Sequence, residues 1–333
     1  MKRIFATFLL MALPICVLWG YISSKGLGDE IVYQTKESDE IVSQEITDRL
    51  TSVEELEKEK PIELKVISHN DTVFGENKAG SAISIQGTTG IVTFYATDEV
   101  TTWNKTDIIE TQTRLSIACD YLKEQTANYG WSSEFVINKS DLMYYESFST
   151  TLSNLTPNEI YDEIENWINT DANSEYLISK YNLDNIVYLV VLNAPGISYA
   201  TPHYVEDEEQ NYYECVFLYL FDENTPDKYE TPAAFAHEIL HLFGAIDLYD
   251  GNNNTISDEL IDYIEENYRN DIMYTTFEKG YISNQNLITN EITDITAYEL
   301  GLIEYIDEIE DFPELIKNDK WCQYKNKEDI AVE

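Results

Sequence analysis

The chain has 333 residues, 43% hydrophobic and 13% aromatic, enough apolar material for a core and too much for a chain that stays unfolded. Asp and Glu number 62 against 21 Lys and Arg, and the net charge of −41 argues against nucleic acid or anionic lipid as a partner, since both repel an acidic surface. Four Cys exclude a disulfide-dense scaffold.

Lys2 and Arg3 precede an apolar run, Ile4–Ile22, broken only by Pro14 and Gly20. Its length is about that of a bilayer span, roughly 20 residues. It fits an uncleaved signal anchor with the basic residues inside, or a secretory signal cut near Ser23 and Ser24. Either reading puts the remaining chain on the extracellular side, anchored or secreted, with membrane contact only through residues 1–24. Residues 25–89 read as an acidic stalk, with Glu54, Glu55, Glu57 and Glu59 ahead of Pro61. The folded domain is expected over 90–310, followed by a charged tail, 311–333. Cys119, Cys215 and Cys322 lie outside the apolar run and form no C-x-x-C pair; they suit one disulfide plus a free thiol, or buried thiols.

Ile91–Tyr95, rich in β-branched and aromatic residues, predicts a strand. Asp107–Tyr129 carries Ile108, Leu115, Ala118, Cys119 and Leu122 at helical spacing. Glu134–Ile137 is a second short strand. Thr156-Pro157-Asn158-Glu159 predicts a capped helix to about Asn169. Ile186–Leu192 is an unbroken apolar run, as in a strand buried on both faces. A turn at Asn193–Gly196, a short edge strand at Ile197–Tyr204 and a strong strand at Tyr213–Phe221 complete the order. Alternating strands and helices give an α/β (α+β) class with a mixed sheet.

The chemistry lies next. Thr231-Pro232 opens a helix with an Ala run, carrying His237-Glu238-Ile239-Leu240-His241. Residues four apart share a helix face, so two imidazoles can hold one small cation. Glu238 stands beside the first imidazole and can act as a base on an attacking water without being a ligand. Gly244 lets the chain leave the helix with positive φ, and Asp247 can return as a third ligand. His69 and His203 are weaker candidates; His203, near the edge strand, is a fallback ligand or oxyanion donor. Asp250-Gly251-Asn252-Asn253-Asn254 lacks the residues of a calcium loop and reads as a surface turn.

The stretch from His237 to Asp247 resembles the metzincin metalloproteases, whose motif is H-E-x-x-H-x-x-G-x-x-H, and specifically the branch, including the snapalysin type, with Asp at the last position. Asn270-Asp271-Ile272-Met273-Tyr274 resembles that family's Met-turn, with Met273 under the metal. Asn290–Leu302 resembles its closing helix. One departure is Thr275, where some members carry a Tyr that approaches the metal. The resemblance covers about residues 90–305. It implies a metzincin-like sheet with Ile91–Tyr95, Glu134–Ile137, Ile186–Leu192 and Tyr213–Phe221 parallel and Ile197–Tyr204 as an antiparallel edge that pairs with extended substrate. The helix at 156–169 stands outside that order as an insertion. It further implies one catalytic zinc on His237, His241 and Asp247, Glu238 as general base, and a protein or peptide substrate. A cysteine-switch segment is absent, since no Cys lies between residues 25 and 85. Two alternatives stay open: a gluzincin-like site with Glu259 as third ligand, and an inactive surface binding protein on a protease fold.

Overall fold

The computed structural model describes residues 80–99, 101–202, 213–223, 225–250, 256–278, 284–315 and 317. They belong to one compact unit, Glu63–Glu333; the other unit, Met1–Ile62, lies wholly outside the described residues, as do His69, His203 and Cys322. Among the described residues no helix is long and apolar enough to cross a membrane, and the run Ile4–Ile22 is not among them.

Six strands form one mixed sheet: β1 (Gly87–Thr97), β2 (Ser133–Val136), β3 (Met143–Ser147), β4 (Asn185–Gly196), β5 (Tyr199–Thr201) and β6 (Cys215–Asp222). The order is β2-β1-β4-β6-β5, and β3 also pairs with β1. All pairs are parallel except β5 with β6, where Tyr199 faces Phe217 and Thr201 faces Cys215. The four predicted parallel strands and the antiparallel edge strand are therefore present. β3 was not expected. It takes β1 residues 93–97, while β2 takes 87–90, so the two short strands follow each other along one edge.

Alternation along the central strands sorts their side chains between two cores. From β4, Val187, Leu189 and Val191 enter one core; Ile186, Tyr188, Val190 and Leu192 enter the other. This is why the run carries no polar break: both faces are covered. Helices α1 (Lys105–Asn128), α4 (Pro232–Leu242), α5 (Asp258–Asn267) and α6 (Asp294–Glu299) pack on the first face. Helices α2 (Pro157–Thr170) and α3 (Ser174–Tyr181) pack on the second. Ala82, Ile83 and Ile85 are also core, held by the Asn185 side chain, which accepts from the Ile83 amide at 2.8 Å and donates to the Ser84 carbonyl at 2.7 Å.

Two expectations change. The turn at 193–196 is the end of β4: after a bulge the strand resumes pairing, Pro195 with Phe221 and Gly196 with Asp222. Gly196 is required there, because a Cβ would lie 2.4 Å from the Tyr219 ring. The closing helix is shorter than 290–302, because the backbone leaves the α-helix after Glu299 and the Leu302 amide turns back to the Ala297 carbonyl at 2.8 Å. Of the two readings for the cysteines, Cys119 and Cys215 follow the second, as buried, free thiols.

Candidate metal centre

Helix α4 is held at its start by Thr231, whose hydroxyl accepts from the Ala234 amide at 3.2 Å, and by Pro232, which suits the first helical turn. Every α4 residue except His241 is buried, including His237 at 5% and Glu238 at 7% exposure. A helix buried all round normally carries only apolar residues. Two titratable groups inside it need partners.

For the histidines those partners are carbonyls from beyond the helix. Nδ1 of His237 is 3.0 Å from the Ile272 carbonyl, and Nδ1 of His241 is 2.8 Å from the Ala245 carbonyl. A carbonyl only accepts, so each Nδ1 carries the proton and each neutral ring turns its Nε2 lone pair inward. The two Nε2 atoms are 3.2 Å apart, and Oδ1 of Asp247 lies 3.1 Å from the first and 3.3 Å from the second. Three lone pairs thus converge with no proton between them, which is stable only around a cation. A small cation in tetrahedral coordination, with bonds of about 2.0–2.1 Å, sets neighbouring donors about 3.3 Å apart. The observed triangle matches, and His237, His241 and Asp247 are the group among the described residues that could hold a metal ion. Without a cation the same cluster attracts a proton. Burial opposes charge on His237, but the hydrogen bond to Asp247 and the charges of Glu238 and Asp247 outweigh it and raise His237 to about 9. Burial likewise opposes charge on Asp247, and the two histidines overcome it, holding that carboxylate well below its ordinary range.

The geometry of the return is set locally. Gly244 has φ of 100°, a conformation that a side chain would strain. The Leu248 amide then donates to the Met273 carbonyl at 3.0 Å, tying the stretch after Asp247 to the turn at residues 271–275. That turn is tight, with the Tyr274 and Thr275 amides both donating to the Asp271 carbonyl. Met273 is fully buried beneath it, and its amide donates to Oδ1 of Asp271 at 2.7 Å. Buried Asp271 also accepts from the Thr293 amide and the Thr296 hydroxyl. The Ile272 carbonyl that orients His237 therefore belongs to the same braced turn.

A cleft of about 450 Å³ opens over the cluster, walled by Gly196–Ser198 at the end of β4, by Glu230, His237 and Glu238, and by Tyr274–Phe277. Oε2 of Glu238 is buried and has no hydrogen-bond partner among the described residues. Burial pushes its carboxyl above the ordinary range, against the opposing pull of the two histidines. Tyr249 lines the cleft near Asp247, has its phenol raised by burial and by the Asp247 charge, and has its ring centre 6.2 Å from that of His237.

Of the residues marked by sequence, His237, Glu238, His241, Asp247 and Met273 come together. Glu259 does not: it is exposed in the first turn of α5. Asp250 is exposed as well, and His69 and His203 fall outside the described residues. Sequence reasoning did not mark Tyr249, which lines the cleft, or Glu299, which accepts from the Ile246 amide. The first sits two residues after the third cluster member, the position at which a returning chain still faces the cleft. The second gave no local signal, because its contact is made across more than fifty positions of chain.

No family model matches the chain, and no curated protein matches it. Among solved structures, the crystal structure of metalloproteinase-II from Bacteroides fragilis is similar over 74% of this chain, with 13% identity and a TM-score of 0.34. The match spans 59% of that protein's length. A likeness at this level leaves the functional reading to rest on the site itself.

Proposed function

We propose that the chain is a zinc-dependent endopeptidase of metzincin type. The observation that carries the reading is the convergence of His237, His241 and Asp247 lone pairs beside Glu238, an acid with a buried, unpartnered oxygen, at the floor of an open cleft. Two imidazoles and a carboxylate suit zinc, which accepts nitrogen and oxygen ligands and in catalytic sites takes three from the protein. When bound, zinc supplies Lewis acidity that polarises the scissile carbonyl and acidifies a water. Glu238 takes the proton of the attacking water and returns it to the leaving amine, a role served by a carboxyl raised above its usual range. Tyr249, facing the cleft near Asp247, offers a hydroxyl to the reacting region. β5, the last strand of the sheet among the described residues, suits pairing with an extended peptide.

The gluzincin-like alternative needs Glu259 at the metal, and its exposed place on α5 counts against it. The binding-protein alternative predicts no hydrolysis by the wild type. Extracellular placement remains part of the proposal and rests on the basic pair and apolar run at the N-terminus. Protease shaving of intact cells tests it: removal of the domain is expected, and full protection beside accessible surface controls would reject it.

The central test is metal analysis of the purified protein with a casein or peptide-library assay. One zinc per chain and hydrolysis are expected. Asp247→Ala should lose tight zinc and activity together, Asp247→His should recover part of the zinc binding, and Glu259→Ala should keep both. A wild type that binds no zinc, or zinc retained by Asp247→Ala and lost by Glu259→Ala, would overturn the assignment.

A further inference from the structure

Glu299 is an acid with no assigned task and a costly position. It ends α6, is fully buried, and sits in the apolar layer formed by Ile295, Ala297 and Leu300. Its Oε2 accepts from the Ile246 amide at 3.2 Å, while its Oε1 is buried with no hydrogen-bond partner among the described residues. Burial is the main reason its carboxyl is raised well above the ordinary range, and the charges of Asp271 and Asp247 add to it. A buried acid that spends one oxygen on a single backbone amide destabilises the fold relative to an apolar side chain of similar size. Its contribution therefore has to be sought in what that amide does.

The Ile246 amide belongs to the peptide unit immediately ahead of Asp247. Beyond the Ala245 amide bond to the Leu240 carbonyl that closes α4, the returning chain is held among the described residues at three points: Ala245 through its carbonyl on His241, Leu248 through its amide on Met273, and Ile246 through Glu299. The first two tie the return to the cluster and its supporting turn. Glu299 supplies the hydrogen bond that, among the described residues, ties it to α6, the helix whose Thr296 also holds Asp271 and thereby the turn that presents the Ile272 carbonyl to His237. One short helix thus reaches two members of the cluster by separate routes.

We propose that Glu299 is a positioning residue for the metal centre, holding the Ile246 amide so that the Asp247 carboxylate stays where it meets His237 and His241. The inference rests on the metallopeptidase reading above. Supporting residues of this kind fix a ligand that would otherwise pay orientational entropy on binding, and their loss typically costs about 10–100-fold in metal affinity.

The test is zinc affinity of the full chain by competition with a chromophoric chelator, with metal-free melting measured alongside. Glu299→Leu removes the acceptor and should weaken zinc by about 10–100-fold. Glu299→Gln keeps an acceptor oxygen of the same reach and should stay within about threefold of wild type. Glu299→Asp keeps the acid but shortens its reach, so it should weaken zinc as Leu does, and it decides the matter if the Leu variant does not fold. A merely structural acid would shift metal-free melting and leave the zinc affinity of the folded variants unchanged. Wild-type affinity in Glu299→Asp, or equal losses in Gln and Asp variants, would overturn the proposal. A wild type without zinc binding would instead remove the reading on which it rests.

Discussion

Helices α2 and α4 start with the same dipeptide, Thr-Pro, and lie on opposite faces of one sheet. Beyond that start they diverge. α2 buries one stripe, Ile160, Tyr161, Ile164, Trp167 and Ile168, and exposes Asn158, Glu159, Asp162 and Asn166. α4 buries nearly its whole circumference and includes His237 and Glu238 in what it buries. An amphipathic helix with an apolar stripe is explained by packing alone. A wholly buried helix with polar groups inside is not, because each such group costs stability unless it is partnered. The difference teaches where to look for function: in the helix whose burial and composition disagree.

Glu238→Gln gives the largest expected effect and tests α4 directly. The amide keeps the shape of the carboxyl and removes the base, so peptide hydrolysis should fall by about 10²–10⁴-fold while zinc content and melting stay near wild type. Near-wild-type turnover would mean that another group acts as base. Trp167→Ala is the matching test on α2. Trp167 is 6% exposed and packs against Phe148 and Phe94 with ring centres 4.8 and 5.9 Å away. Its loss should lower unfolding free energy by about 3–5 kcal/mol in a urea titration. The remaining folded protein should keep its zinc affinity. A variant that folds normally but loses zinc would show that the α2 face communicates with the site.

The same contrast explains what was legible in the sequence. The strands β1, β4 and β6 announced themselves because central parallel strands are covered on both faces and must be apolar throughout. His237, Glu238, His241, Gly244 and Asp247 were legible because a helix and one tight return fix their spacing within eleven residues. β3 was not, since its Tyr145 and Ser147 are exposed and only a single neighbour, β1, holds it. α5 did carry signals, Ser257 as cap and Leu260 and Ile264 four apart on one buried face, but an acidic stretch of ten residues reads easily as loop. Tyr249 and Glu299 depend on how the return and α6 meet in space, and spacing along the chain holds no record of that meeting.

The smallest expected effects come from the shared start itself. On α2 the Thr156 hydroxyl accepts from the Glu159 amide at 3.3 Å while Glu159 reaches back to the Thr156 amide at 2.8 Å, a reciprocal cap open to solvent. On α4 the Thr231 hydroxyl accepts from a buried amide, and the third helical position is Ala234, so no reciprocal bond exists. Water can replace a lost hydroxyl at the exposed cap but not at the buried one. The Thr231 carbonyl shares the Ala234 amide at 3.1 Å and keeps part of that bond. Thr156→Ala should therefore cost about 0.5–1 kcal/mol and Thr231→Ala about 1–2 kcal/mol. Paired denaturant titrations at fixed zinc concentration measure both. Equal costs, or a larger one at Thr156, would show that the reciprocal bond on α2 matters more than burial on α4, because water would then have failed to compensate at the exposed cap.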